Sequence, residues 1–205
     1  LVNNNNEEYI DKLKDKFNIP KDKKVILYAP TWRDNEYYQK GEYKFATEMD
    51  FDQMHSELGD DYVLIVKFHY LVKENIDWSK YGGFVIECDA QWDIQELYLV
   101  SDIMITDYSS VMFDYAILRR PMLFFTYDLK FYKDSLRDFY FDMLEEVPGP
   151  LIENTTDLVN EIKNLNIEEY EEKYGEKYDR FQNKYNEFDK GTASKYIIDL
   201  IRNKN

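Results

Sequence analysis

The chain is short of cysteine, glycine, histidine and positive charge, and each shortage removes a class of protein. One cysteine, Cys88, in 205 residues rules out an intramolecular disulfide framework and fits a reducing compartment. Seven glycines form neither a G-x-G-x-x-G fingerprint nor a Walker A loop, which excludes the usual dinucleotide and P-loop phosphate cradles. Lys and Arg number 26 against 41 Asp and Glu, a net charge of −15. Non-specific binding to DNA or RNA needs a positive footprint, so no nucleic acid partner is expected. A phosphorylated small ligand stays open, because a few local cations and backbone N–H groups suffice for one. His55, His69 and Cys88 offer no zinc spacing, and no metal site is expected. No apolar stretch has the length of a membrane span, and no signal-peptide pattern is read at the start. The first residue is Leu1 and residues 3–6 are all asparagine, so a linker in a fragment cut from a longer protein is expected.

Aromatics are abundant, with 19 Tyr and 13 Phe, and 44% of residues are hydrophobic, enough for a large core. Five short apolar runs read as buried strands: residues 25–32, 62–69, 84–87, 103–106 and 122–127. They are rich in β-branched and aromatic residues. Their near-continuous apolarity predicts a parallel sheet covered on both faces. Helical patterns fall between them at 50–58, 93–100 and 110–118, the first weak and the last apolar nearly all round. After residue 127 the strand pattern fades. Pro148-Gly149-Pro150 is a turn signal, and residues 154–157 open a helix carrying Leu158, Val159 and Ile162. Residues 168–187 are charged with Tyr170, Tyr174, Tyr178, Phe181 and Tyr185 at helical spacing. Ala193, Tyr196, Ile197, Leu200 and Ile201 form a last stripe. Strands alternating with helices, then trailing helices, predict an α/β fold, a Rossmann-like parallel sheet sandwiched by helices. Residues 1–22 read as a linker and leading helix, and 23–205 as the domain.

The stretch "SDIMITDYSSVMFDYAILRRP" (101–121) carries the chemistry. An apolar run ends at Asp107, a phenol and two serines follow, and a helical pattern then runs toward Pro121. In open α/β sheets ligands bind beyond the carboxyl ends of strands. Ser109 or Ser110 can cap the helix, whose first-turn N–H groups make an anion site; a serine pair is also an ordinary N-cap. Asp114 lies four residues after Ser110. That layout resembles the donor helix of nucleotide-sugar transferases with two Rossmann-like domains, the GT-B architecture. Asp stands where that family often has Glu, and Arg120 where it often has Gly. By itself Asp114 is equally a solvated acid paired with Arg119 or Arg120.

A closer resemblance runs through "VILYAPTWRD" (25–34), "VKFH" (66–69), "ITDYSSVMFDYA" (105–116), "RRPMLFFTYDL" (119–129), "FYFD" (139–142), "PGP" (148–150) and "KGTAS" (190–194). In this order they resemble the C-terminal, donor-binding half of the CDP-glycerol glycerophosphotransferases, which make poly(glycerol phosphate) and related polymers of teichoic acids and some capsules. The family often has proline after the histidine of "VKFH", where this chain has Tyr70. The resemblance implies that Ser109, Ser110 and nearby backbone amides hold the CDP diphosphate, that Asp114 holds the ribose, and that His69 contacts the diphosphate. Lys67, two residues before His69, shares its face of the strand. A protonated imidazole there could stabilise charge on the departing CMP, which makes His69 the catalytic candidate; a strand-end core histidine is the alternative. Thr31 and Arg33 follow the first strand, where a guanidinium can meet phosphate oxygens or pair with Asp34. Asp107 orients the corner or bonds Tyr108 or serine amides. Gly191, Thr192 and Ser194 could close over the nucleotide or simply cap a helix.

The implied partners are CDP-glycerol or CMP and a lipid-linked polyol-phosphate acceptor bound by a missing N-terminal half. No cofactor is required. The implied location is cytoplasmic, peripheral on the inner membrane face. Two other readings stand beside this one: a GT-B glycosyltransferase using a nucleotide sugar, and a receiver-like module phosphorylated on Asp107. A receiver needs an acidic pair after its first strand, and "YAPTWRD" has none in place.

Overall fold

In the computed structural model, which describes residues 1–31, 37–39, 42–44, 48–68, 72–73, 76–88, 91–129 and 141–202, the apolar runs become one parallel sheet. Its strands are β1 (Lys24–Tyr28), β4 (Tyr62–Val66), β6 (Val85–Glu87), β7 (Ile103–Thr106), β8 (Met122–Phe125) and β9 (Leu151–Ile152). They lie in the order β6-β4-β1-β7-β8-β9, and every neighbouring pair is parallel. The chain builds outward from β1 on one side, then crosses back to lay β7 on the other. This reversal opens a crevice between the carboxyl ends of β1 and β7, where such sheets take ligands. Backbone segments β2 (Tyr37–Gln39), β3 (Glu42–Lys44) and β5 (Val72–Lys73) form a separate sheet in the order β2-β3-β5.

The helices are α1 (Glu7–Lys16), α2 (Phe51–Leu58), α3 (Ile94–Val100), α4 (Val111–Ala116), α5 (Met143–Glu146), α6 (Thr155–Lys163), α7 (Ile167–Tyr185) and α8 (Ala193–Arg202). Side chains alternate across a strand, and β1 shows the result. Val25 and Leu27 pack with Leu13, Phe17, Leu97 and Tyr178 from α1, its C-terminal end, α3 and α7. Ile26 and Tyr28 face the other way, into Phe51, Met54, Leu158 and Ile162 from α2 and α6. Both faces are covered, which is the sandwich that near-continuous apolar strands predict. Helix starts follow side-chain caps: Asp50, Asp93, Asn154 and Asn166 each accept an amide of the turn they precede, a contribution of about 1 kcal/mol each.

Several strands are shorter than their apolar runs. β1 stops at Tyr28 because the Ala29 carbonyl accepts the Thr106 hydroxyl at 2.8 Å and Pro30 has no N–H to continue a ladder. β8 stops at Phe125; Thr126 still donates to the Ile152 carbonyl at 2.7 Å, and the Leu129 amide then turns back to Thr126. That bond belongs to β9, a strand hidden after the turn signal at 148–150. On α7, Tyr170, Tyr174, Tyr178 and Phe181 are buried, so the tyrosine stripe is core. The stripe on α8 is different. Tyr196, Ile197 and Ile201 are 64%, 55% and 61% exposed, and nothing among the described residues buries them. No helix of the described residues is long and apolar enough to cross a membrane.

Candidate functional site

The crevice between β1 and β7 is closed at its base by Asp107. This carboxylate is only 3% exposed, and a buried charge needs donors close by. It has them: Oδ1 accepts the Thr31 amide at 2.8 Å and the Tyr108 amide at 2.6 Å. The first bond joins the chain leaving β1 to the chain leaving β7, and the Thr106 hydroxyl on the Ala29 carbonyl joins them again one step lower. Tyr108 extends the tie to the chain leaving β8, donating its phenol to Asp128 Oδ1 at 2.9 Å. Three strand ends are thus held together by side chains. The acid and the phenol at this corner set its shape.

The serines are left for something else. Ser110 is the N-cap residue of α4, but its backbone is already helical (φ −61°, ψ −11°) and its side chain makes no capping bond. The Ser109 hydroxyl reaches the Val111 amide only at 3.5 Å. The Met112 and Phe113 amides donate to the Ser109 and Ser110 carbonyls at 3.3 and 3.1 Å. The first-turn amides of α4 are therefore not free: Ser109 supplies a long hydroxyl contact and Ser110 makes no cap. Nothing among the described residues accepts from the Ser109 and Ser110 amides or from the Ser110 hydroxyl. These three donors at the mouth of the crevice have the chemistry of an anion site.

Asp114 follows one turn on and is exposed. Partial burial, and then the charge of Asp189, raise its carboxyl above the usual aspartate range. The arginines that might have paired with it are engaged elsewhere. Arg119, at φ 52°, bridges Glu171 and Asp179 on α7 at 2.5 and 2.6 Å. Arg120 donates to the Leu99 and Ser101 carbonyls at 2.8 and 2.6 Å, satisfying the orphaned C-terminal end of α3.

Lys67 follows β4, with its amide on the Tyr28 carbonyl and Nζ 3.4 Å from the Trp92 carbonyl. Gly191 adopts φ 71°, a left-handed conformation that suits glycine. Asn3 donates to the Gly191 carbonyl at 3.4 Å, and Thr192 opens α8 by accepting the Tyr196 amide at 3.0 Å. Thr192 and Ser194 are exposed. Arg33 and His69 lie outside the described residues. The structure thus gathers Thr31, Asp107, Ser109, Ser110 and Asp114 at one end of the sheet. It does not bring Gly191, Thr192 and Ser194 to them: the link on that side is Asn186, which ties the Phe113 carbonyl of α4 to Asp189, two residues before Gly191. Among the described residues no group of three or more His, Cys, Asp and Glu could hold a metal ion.

A family model described as CDP-Glycerol:Poly(glycerophosphate) glycerophosphotransferase matches residues 1–203. The chain is 47% identical over 201 residues to the teichoic acid poly(glycerol phosphate) polymerase of Bacillus subtilis strain 168, covering 98% of this chain and 27% of that one. It is 45% identical over 197 residues to the teichoic acid glycerol-phosphate transferase of Staphylococcus aureus strain NCTC 8325, covering 96% of this chain and 50% of that one. The solved structure of the wall teichoic acid polymerase TagF superposes with a TM-score of 0.86 at 46% identity, over 99% of this chain and 49% of that one. A variant of that polymerase soaked with CDPG superposes with a TM-score of 0.85 at the same 46% identity and the same coverage of both chains. The chain spans 27% of the length of the first of these relatives and 50% of the second.

Proposed function

The chain belongs to the CDP-glycerol:poly(glycerophosphate) glycerophosphotransferase family, and on that premise we propose that it is the donor-binding half of a transferase. The enzyme moves glycerol phosphate, or another polyol phosphate, from a CDP-linked donor to a lipid-linked acceptor and releases CMP. The observation that carries this reading is the set of donors beside the locked Asp107 corner, the Ser109 and Ser110 amides and the Ser110 hydroxyl, for which no described residue supplies an acceptor. The diphosphate takes the Ser109 and Ser110 amides and the Ser110 hydroxyl, with Thr31, Arg33 and Lys67 as further donors. Asp114 accepts the ribose hydroxyls. In the reaction an acceptor hydroxyl oxygen attacks the phosphorus that carries the polyol. A new P–O bond forms, the bond to CMP breaks, CMP keeps the electron pair, and the hydroxyl proton passes to a base. The acceptor and that base belong to the rest of the enzyme. By the family resemblance, His69 is the group that stabilises the charge growing on CMP. The enzyme works at the cytoplasmic face of the membrane, where a soluble nucleotide and a lipid-linked acceptor meet.

These donors need no divalent ion between protein and phosphate. Calorimetry is expected to show CDP-glycerol and CMP binding equally with and without EDTA, and uridine diphosphate sugars binding poorly. Loss of binding in EDTA would remove the metal-free assignment, and preference for a uridine sugar would favour a glycosyltransferase instead.

Asp114 gives a second test, in which stability and affinity move in opposite directions. Its carboxyl is raised in the folded protein, so the ionised form is disfavoured there relative to the unfolded chain. Stability associated with the protonated form is lost as pH rises through the usual aspartate range to the folded value. At neutral pH wild type carries the whole penalty, and Asp114→Asn does not. The variant is expected to melt about 1–2 °C higher at pH 7, with the gain vanishing toward low pH. Its affinity for CMP should fall at least about tenfold, because a neutral amide accepts the ribose hydroxyls more weakly than a carboxylate. A variant that binds CMP as wild type does would take Asp114 out of the site.

A further inference from the structure

We infer that Asn186 is a positioning residue for the donor site, its side-chain amide fastening the middle of α4 to the segment that leads into Gly191. The inference rests on the donor-site reading above and adds a residue that no motif in the chain pointed to.

α4 is short and closes loosely. The Ile117, Leu118 and Arg119 amides donate to the Asp114, Tyr115 and Ala116 carbonyls at 3.2, 3.0 and 3.1 Å, each three residues back rather than four. This tightening takes the Ile117 amide away from the Phe113 carbonyl, which an α-helix would have paired with it. Asn186 at the end of α7 supplies the donor instead: its Nδ2 lies 2.9 Å from the Phe113 carbonyl. One turn earlier on the same face of α7, Gln182 donates to the Ala116 carbonyl at 2.6 Å. Two amides four residues apart thus grip two carbonyls three residues apart.

The aromatic contacts between these helices could not do this alone. Phe113 stacks on Phe181 with centroids 5.4 Å apart and planes 6° from parallel, and touches Tyr185 at 4.7 Å. Such faces set the spacing of two helices but tolerate sliding and rotation, whereas a hydrogen bond loses strength steeply with angle. The amides therefore set the register of α4. Ser110 and Asp114 lie on either side of Phe113, so that register is also theirs.

Asn186 does a second thing that Gln182 does not. Its Nδ2 also donates to Asp189 Oδ2 at 3.1 Å, while the Asp189 amide returns to the Asn186 carbonyl at 3.0 Å. The two hydrogens of one amide thus go to the helix of Asp114 and to Asp189, two residues before Gly191. The orientation has a cost: Oδ1 is buried and nothing among the described residues donates to it. A side chain held with its acceptor unfilled is placed by its donors.

The test measures CMP affinity by calorimetry, and melting temperature, for wild type, Asn186→Ala, Asn186→Leu, Asp114→Asn and the Asn186→Ala/Asp114→Asn double variant. Asn186→Leu keeps about the same size and removes both donors without adding a charge beside Asp189, so it decides the matter if Asn186→Ala folds poorly. Each Asn186 variant is expected to weaken CMP binding about tenfold. The double variant should lose less affinity than the two single losses added together, because the part of the Asn186 effect that acts through Asp114 is already gone. Wild-type affinity in Asn186→Leu, or losses that simply add in the double variant, would overturn the positioning role. If Asp114→Asn binds CMP normally, or wild type does not bind CMP, the donor-site reading falls and takes this inference with it. If Asp114→Asn weakens binding and the Asn186 variants do not, the inference alone falls.

Discussion

Gly149→Ala is expected to melt roughly 6–12 °C below wild type, while Gly82→Ala melts with it, although both glycines sit in turns. A Cβ on Gly149 would stand 2.0 Å from the Met122 carbonyl oxygen and 3.1 Å from the Tyr170 hydroxyl. The first of these neighbours is backbone, so no rotamer change relieves the contact. The chain carrying Gly149 must instead withdraw from the first residue of β8. That movement breaks more than packing. The Tyr170 hydroxyl accepts the Met122 amide at 3.1 Å and donates toward the Met122 and Pro148 carbonyls, and the Phe124 amide donates to the Pro150 carbonyl at 2.9 Å. Overpacking a well-filled site costs about 1–3 kcal/mol, and leaving a buried peptide group unpaired costs about 1–3 kcal/mol more. A loss of about 3 kcal/mol corresponds to the lower melting temperature in a domain of this size. At Gly82 the nearest atom to an added Cβ is the Ser79 carbonyl oxygen at 3.8 Å, an ordinary contact. Equal melting of the two variants would show that β9 and its approach are not packed as described.

The same glycine shows where the sequence could be read and where it could not. Pro148-Gly149-Pro150 announces a turn, and a turn is what sequence chemistry can announce. Close passage of that turn over β8, under a tyrosine from α7, depends on Tyr170, 22 residues after Pro148, and on Met122, 48 residues before that tyrosine, and leaves no local pattern. β9 is two residues long, too short for any periodicity. β1, β4, β7 and β8 were legible because burial on both faces demands apolar side chains at every position. Their ends were overread for the same reason: apolarity continues past Tyr28 and Phe125, while the hydrogen bonds do not. At the site, the residue types around Asp107 were visible as a motif. Their division of labour was not, since the Thr31 amide and the Asp107 carboxylate are 76 residues apart. Helix spacing suggested that a serine caps α4. The structure splits the pair: the Ser109 hydroxyl accepts the Val111 amide at 3.5 Å, while Ser110 sits in a helical conformation from which its hydroxyl does not cap. Asn186 was missed because a helix-ending asparagine is ordinary capping chemistry, and only its partner, the Phe113 carbonyl, makes it more.

His69→Ala, in the enzyme with both of its halves, is expected to lower turnover by about 10²-fold or more while changing CDP-glycerol affinity much less. The family resemblance assigns the histidine to the diphosphate, and Lys67 stands two residues before it, just past β4. Bound donor already carries the charge of its diphosphate, and in the proposed reading Lys67 with the Ser109 and Ser110 donors meets that charge before reaction begins. What changes during reaction is the oxygen that leaves with CMP, which gains negative charge as its bond to phosphorus lengthens. Only an interaction that strengthens at that moment raises kcat. A protonated imidazole beside the leaving oxygen does so, and it can pass a proton as the bond breaks. His69→Gln keeps a hydrogen-bond donor but neither the charge nor the transferable proton, so its turnover should fall between those of wild type and His69→Ala. The pH profile separates this role from a packing one. Activity that depends on an imidazolium declines as pH rises through the histidine range, and both variants should lose that limb of the profile. Equal turnover in all three proteins, with both variants less stable, would return His69 to the core of the strand end.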